Sequence, residues 1–264
     1  MPLRVATWNV NSVRLRMPLV QKLIGEAKID VLCLQETKAQ TSDFPFDGLK
    51  ALGFKHIHAH GQKSYNGTAI LSRVPFTPGD QTRWCDKDDC RHTIAVLGDG
   101  TEIHNFYVPA GGDIPDPALN VKFKHKLQFL DEMKSWFAAR SNPNNKMIVV
   151  GDLNIAPLED DVWSHKALLK VVSHTPIEVQ KFAEVQASHR FVDAMRKFVP
   201  PTEKLYTWWS YRSPDWASAD KGRRLDHVWV TGALEDRLKG MDVLRAARGW
   251  EQPSDHVPVV VTLK

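Results

Sequence analysis

Cysteine is scarce: Cys33, Cys85 and Cys90 are the only three in 264 residues. So few, and odd in number, they cannot frame a disulfide scaffold. Cys85 and Cys90 have no second cysteine pair or histidine pattern of the kind that binds zinc, and Cys33 sits in an apolar run as a small buried hydrophobe. A reducing, cytoplasmic setting is the expectation. Long apolar runs are also missing. None approaches the ~18 residues of a membrane span, so no membrane partner is expected. The chain enters a strand-like run at Leu3-Arg4-Val5-Ala6, which leaves no room for a signal peptide. Without a linker or low-complexity tract, residues 1–264 are expected to form one domain. Strong charge is lacking too. A net charge of +4 suits a polyanionic partner without establishing one. Hydrophobic residues make up 42%, enough for a sizeable core.

Against this background, several apolar runs end in polar groups. Asp30-Val31-Leu32-Cys33-Leu34 leads into Gln35-Glu36-Thr37-Lys38, and Lys146-Met147-Ile148-Val149-Val150 into Gly151-Asp152-Leu153-Asn154. Such runs read as buried strands. Ala6-Thr7-Trp8-Asn9-Val10-Asn11 and Pro253-Ser254-Asp255-His256-Val257-Pro258 place polar residues at strand ends in the same way. Further strands are expected at Phe54–His60, Thr68–Ser72, Arg91–Leu97, Thr101–Val108, Leu225–Val230, Gly240–Ala246 and Val257–Leu263. The turns would fall at Asn66-Gly67 and Gly98-Asp99-Gly100. Helical spacing covers Met17–Ala27, Phe46–Leu52, Pro117–Arg140, Ile177–His189 and Asp193–Phe198. The two halves rhyme as strand, helix, strand ending in an acid or amide, which fits packed sheets with helices outside.

Each polar group has two readings. Glu36 is either a surface acid paired with Lys38 or an oxygen ligand for Mg²⁺. Asn9, and Asp152 with Asn154, are either strand-end turn residues or site groups; Asp152 and Asn154 share a side if extended. Asp226 is an edge residue or a buried acid. His256 is a surface group, or a phosphate ligand kept protonated by the carboxylate of Asp255. His56, His58 and His60 alternate with no paired carboxylate in the sequence and read as surface histidines.

Taken together and in order, these segments carry a resemblance. They are joined by His60-Gly61-Gln62-Lys63, Phe106-Tyr107-Val108-Pro109, Thr207-Trp208-Trp209-Ser210-Tyr211-Arg212 and Arg224-Leu225-Asp226. The set resembles the exonuclease III family of abasic-site endonucleases, within the metal-dependent endonuclease/exonuclease/phosphatase superfamily. The resemblance implies a four-layered α/β sandwich, two mixed β-sheets face to face with helices outside and the site at one edge. It implies a Mg²⁺-dependent phosphodiesterase, with Mn²⁺ as substitute, acting as a monomer on double-stranded DNA with abasic sites or damaged 3′ ends.

By resemblance, Glu36 is the principal metal ligand with Asn9 beside it, and Asp152, Asn154, Asp255 and His256 complete the candidate metal set. Asp152 matches the residue that activates water or assists the leaving oxygen, and Asn154 the one that orients nucleophile and phosphate. Tyr107 and His256 match the groups that bind the scissile phosphate. Asp255 matches an acid that holds the histidine or contributes near the metal, and Asp226 a buried supporting acid. Trp208 and Arg212 match the pocket for a sugar lacking its base, with Arg91 and Lys63 as further DNA contacts. Lys38, Arg73, Lys221, Arg223 and Arg224 are other basic candidates.

Three features depart from the family pattern: Ala110 where relatives carry Gln, the loop Gly111-Gly112-Asp113-Ile114-Pro115, and His227. They leave room for a phosphoesterase acting on lipid or small-molecule phosphates. A DNA-binding protein with a dead site is the third reading.

Overall fold

A computed structural model describes residues 2–264. The first half contains β1 (Leu3–Asn9), α1 (Met17–Glu26), β2 (Val31–Gln35), α2 (Phe46–Ala51), β3 (His56–His60), β4 (Thr68–Ser72), β5 (Phe76–Pro78), β6 (His92–Leu97) and β7 (Glu102–Tyr107). Then come α3 (Val121–Ala139), β8 (Met147–Asp152), α4 (His165–Leu168), α5 (Pro176–Ser188), β9 (Val192–Asp193) and β10 (Trp208–Trp209). The chain closes with α6 (Trp216–Ala219), β11 (Gly222–Arg223), β12 (Asp226–Val230), α7 (Gly232–Glu235), β13 (Leu238–Val243) and β14 (Val259–Leu263).

Two six-stranded sheets carry the fold, in the orders β13-β14-β1-β2-β4-β3 and β5-β6-β7-β8-β12-β9. Strand alternation sorts their side chains into layers. Val5, Val31, Cys33 and Ile70 of the first sheet meet Ala95, Ile103, Ile148, Val150 and Val228 of the second in one shared core. Their neighbours face outward. Ala6, Trp8, Leu32 and Leu34 pack under Leu19, Val20 and Leu23 of α1 and Leu49 of α2. On the far side, Phe106, Met147, Val149 and Trp229 pack under Phe129, Leu130, Met133 and Phe137 of α3 and Phe182 and Val185 of α5. The result is the four-layered α/β sandwich expected, and both faces of the central strands are covered, which is why β2 and the start of β8 run apolar without a polar alternation.

The rhyme between the halves is a topological one. Each sheet has one parallel pair at its centre, β1 with β2 and β7 with β8. Antiparallel strands flank each pair: β14 and β4 in the first sheet, β6 and β12 in the second. Parallel strands end on the same edge, and their antiparallel neighbours begin there. Asn9, Glu36, Tyr107 and Asp152 therefore meet the starts of β12 and β14.

Three local expectations need correction. Residues 193–198 are not helical. The Asp193 carboxylate accepts from Met195 N and Arg196 N at 3.0 and 3.1 Å as a helix N-cap does, but only turns follow, with Lys197 N on the Asp193 carbonyl and Val199 N on the Met195 carbonyl before Pro200 and Pro201. Helix α3 starts at Val121 rather than Pro117, because Asn120 caps it by accepting from Lys122 N. Strands β3 and β4 pair, but through the whole loop 61–67, in which Asn66 and Gly67 both adopt positive φ.

Candidate active site

Backbone strain marks the edge where the strands converge. Asn11, Glu36, Lys38 and Asn154 all sit at positive φ, between 46° and 55°, although none is glycine. Such conformations cost of order 1–3 kcal/mol each and persist where surrounding structure imposes them. Gly151 (φ 141°) is required for a different reason: a Cβ there would lie 1.9 Å from the Phe106 carbonyl oxygen of the neighbouring strand. The close approach of β7 and β8 delivers Tyr107 and Asp152 side by side, in register.

A cavity of about 760 Å³ opens at this edge. Asn9, Glu36, Tyr107, Asp152, Asn154, Asp255 and His256 all line it, together with Trp208 and Arg212. Asp226 lies directly behind, buried, opposite Asp152 in the β8–β12 register. Of the remaining sequence candidates, Arg91 packs its guanidinium 4.9 Å over the Tyr107 ring and donates to the Tyr107 carbonyl at 3.2 Å. Lys63 is exposed in the loop after β3 and does not line the cavity.

Asp152 accepts three hydrogen bonds. Its Oδ2 accepts from Asn9 Nδ2 at 2.9 Å and Asn154 Nδ2 at 3.1 Å; its Oδ1 accepts from Asn154 N at 3.0 Å. His256 Nε2 lies 3.6 Å from Oδ2. Burial raises the Asp152 pKa well above the carboxylate range, opposed by His256 and Asn9 and reinforced by Asp226 and Glu36. For His256, burial opposes the charge, but Asp226 and then Asp152 outweigh it, so the imidazolium persists through neutral pH.

The acid that holds His256 is Asp226, at 2.8 Å from Nδ1, and not its sequence neighbour Asp255. Consecutive residues of an extended segment point to opposite sides. Asp255 therefore turns to Trp208, accepting from Nε1 at 2.9 Å, and to Asn11 Nδ2 at 3.3 Å. While charged and flanked by two carboxylates, His256 offers no lone pair to a cation and serves as a donor. Asn154 presents one face of its amide to the cavity. Its Nδ2 is committed to Val108 O at 2.9 Å and to Asp152, so the amide turns an acceptor, Oδ1, toward any ligand rather than a donor. Burial, with Glu36 and Asp152, pushes the Tyr107 phenol up, keeping it a neutral donor.

The donor set fits a hard divalent cation. Oxygens of Glu36, Asn9, Asp152, Asn154 and Asp255 line one cavity, and such ions take oxygen ligands. The Glu36 carboxylate meets Lys38 Nζ at 3.0 Å, the ion pair of the first sequence reading, while lining the cavity. Asp152, Asp226 and His256 bring ligand atoms within 4.8 Å of one another, yet Asp226 holds the His256 ring by a hydrogen bond and Asp152 faces its other nitrogen as an ion pair at 3.6 Å.

The far wall of the cavity is apolar: Trp163, Val171, Val172, Trp208 and Leu225. Trp208 is half-buried there, whereas Trp209 belongs to a core cluster with Tyr206, Ala247 and Val257. Arg223 covers the Trp208 ring at 5.3 Å. Arg224 is no phosphate contact. It is buried against Asp161 and Asp193 at 2.6–2.9 Å. Arg73 is tied to the Ile29 and Leu52 carbonyls outside the cavity. His227 is also structural. Burial drops its pKa to about 4, and its Nε2 bonds the Ile155 carbonyl at 2.7 Å.

The sequence reading missed the support behind Asn154. Buried Lys126 donates to the Asn154 carbonyl at 2.8 Å, the Ala110 carbonyl at 3.2 Å and Glu178 Oε1 at 2.5 Å. Glu178 in turn accepts from Ser173 N and Thr175. The pattern Thr175-Pro176-Ile177-Glu178 is a capping box legible in the sequence, and could have located the acid. Arg16 was also missed; it ties the Asn11 and Pro253 carbonyls together at the rim.

Known proteins are similar to this chain in sequence and fold. Residues 6–256 match the Endonuclease/Exonuclease/phosphatase family. Exodeoxyribonuclease III of Haemophilus influenzae is 26% identical over 99% of this chain and all of its own. An AP endonuclease structure from Archaeoglobus fulgidus is 31% identical, with a TM-score of 0.89 and 99% of each chain covered. The 3′ phosphatase NExo from Neisseria, bound to product DNA hairpin, gives the same identity, TM-score and coverage. The chain belongs to the endonuclease/exonuclease/phosphatase family.

Proposed function

We propose that this protein is a Mg²⁺-dependent DNA repair phosphodiesterase that cleaves the backbone 5′ to abasic sites and removes nucleotides or blocking phosphates from 3′ ends. One observation carries the reading: a charged His256, a neutral Tyr107, a basic Asp152 and an all-oxygen donor set line a single cavity beside the Trp208 wall. The related proteins named above are an exodeoxyribonuclease, an AP endonuclease and a 3′ phosphatase, three reactions at one kind of phosphorus.

Attack on a phosphodiester adds charge to its oxygens. His256 and Tyr107 donate to those oxygens where the charge develops. Asp152 takes the proton of the attacking water or returns one to the leaving oxygen, and Asn154 Oδ1 accepts from that water and orients it. Asp226 keeps His256 charged. A divalent ion, Mg²⁺ with Mn²⁺ as substitute, would be held by Glu36 with Asn9, Asp152, Asn154 and Asp255 in reach, and supplies Lewis-acid charge stabilisation. Asp255 also fixes Trp208, whose wall accepts a deoxyribose without its base. Arg212, Lys221 and Arg223 line the cavity as cations for flanking phosphates, with Arg91 over the Tyr107 ring and exposed Lys63 further out.

The partner is double-stranded DNA, bound by a monomer whose residues 1–264 act as one domain. Free thiols at Cys33, Cys85 and Cys90 favour a reducing, cytoplasmic compartment. No described helix is long and apolar enough to cross a membrane.

The test is a duplex bearing an abasic analogue, run beside recessed and 3′-phosphate ends, with Mg²⁺ and then EDTA. Metal-dependent nicking is the expected result. Turnover confined to inositol phosphates or sphingomyelin in a parallel panel would transfer the assignment to a small-molecule or lipid phosphoesterase.

A further inference from the structure

We propose that His60, Asp88 and Cys90 form a second metal site, chemically distinct from the oxygen-lined cavity and suited to Zn²⁺. His60 ends β3, while Asp88 and Cys90 lie in the loop before β6. An imidazole nitrogen, a carboxylate oxygen and Cys90 Sγ all come within 4.8 Å of one another. His60 Nε2 is 3.4 Å from Asp88 Oδ1. Around tetrahedral zinc, bonds of ~2.0–2.3 Å set ligand atoms roughly 3.3–3.8 Å apart. The His–Asp edge is thus already at ligand spacing, and Asp88, whose side chain is 69% exposed, is free to adjust.

The donor chemistry separates the two sites. Nitrogen, thiolate sulfur and one carboxylate form a set that favours zinc-like ions over Mg²⁺. In the sequence His60 had no acid beside it; the fold supplies one from 28 positions away, together with a buried thiol. Burial, with Asp88 and Asp89, holds that thiol protonated when no cation is near. On binding, Cys90 Sγ gives its proton to solvent and its lone pair to the ion, with no change of oxidation state.

The position gives the site a consequence. Cys90 immediately precedes Arg91, which stacks on Tyr107. Asp89 accepts from Arg91 Nε, and its carbonyl accepts from Asn66 Nδ2 at 3.0 Å. An ion held by His60, Asp88 and Cys90 would clamp β3 to this loop and fix Arg91 over the Tyr107 ring. The binding claim stands on its own geometry; only this consequence rests on the function proposed above.

The experiment is a Co²⁺ titration of the whole chain in excess Mg²⁺, read in the near ultraviolet. A cobalt–thiolate bond gives a charge-transfer band that oxygen ligands do not, so occupancy of the cavity is silent. The expected result is a band that saturates at one ion per chain and is displaced by Zn²⁺. It should vanish in Cys90→Ser and persist in Cys85→Ser. His60→Ala, which keeps the thiol, should weaken binding at least about tenfold. No band from the folded wild type, a band surviving Cys90→Ser, or undiminished affinity in His60→Ala would each overturn the proposal.

Discussion

The Nδ1 atom of His256 lies 2.8 Å from Oδ2 of Asp226, thirty positions earlier in the chain. This contact spans the sandwich, since Asp226 begins β12 of one sheet and His256 precedes β14 of the other. It commits one ring nitrogen to a buried carboxylate and leaves Nε2 to face Asp152 and the cavity.

Asp226→Asn removes the leading support for the imidazolium. The sign of the pH effect follows. The raised His256 pKa keeps wild-type His256 charged as pH rises from 6 to 8, so this group causes no loss of activity there. In Asp226→Asn the pKa falls, and residual activity should decline as pH rises through the same window. At neutral pH a loss of about 10²–10³-fold is expected, the size of one lost transition-state donor. Steady-state rates against pH, with a thermal melt for folding, check it; a flat profile at normal rate would remove Asp226 from the mechanism.

Trp208 holds Asp255 through its indole N–H and forms part of the apolar wall. Trp208→Phe leaves a smaller aromatic ring on the wall and deletes the hydrogen bond to the Asp255 carboxylate, worth about 1.5–3 kcal/mol. We expect kcat/KM on an abasic duplex to fall roughly tenfold or more. Comparing abasic duplex with a 3′-phosphate end tells whether the loss follows the pocket.

Lys126 and Glu178 are both fully buried and paired. Lys126→Met leaves Glu178 buried without its partner, at a cost of about 3–5 kcal/mol. Lys126→Met combined with Glu178→Leu should recover part of it. Denaturant midpoints for wild type, both single variants and the double variant test this, and strictly additive losses would mean that the pair is not coupled.

Chelation should stop cleavage without unfolding the protein, because the sandwich core does not depend on the cavity ligands. Glu36→Gln should raise the Mg²⁺ concentration needed for half-maximal rate, leaving the melting temperature within a few degrees. A rate independent of Mg²⁺ in the variant and wild type alike would contradict the metal role of Glu36.

Much of this was legible in the sequence because parallel strands end in register. Apolar runs located β1, β2 and β8, and the polar residue at the end of each lines the cavity, whereas Tyr107 at the end of β7 was reached only through the resemblance. What local pattern could not give was pairing across the sheets. Asp255 stood beside His256 in the chain, but strand alternation turned it to Trp208, and the distant Asp226 took its place. Arg224 looked like a surface cation until Asp161 and Asp193 closed around it. Asp193–Phe198 has helical spacing, yet the segment stops as turns before Pro200 and Pro201. His60 looked isolated because Asp88 and Cys90 arrive only through the fold.

The most direct measurement is single-turnover cleavage of a duplex abasic analogue with Mg²⁺, by wild type and by Asp152→Asn, with DNA affinity measured in parallel. The expected result is that the variant stays folded, binds the duplex, and cleaves at least ~100-fold more slowly. Cleavage by Asp152→Asn at the wild-type rate, or no cleavage by the folded wild type, would contradict the account.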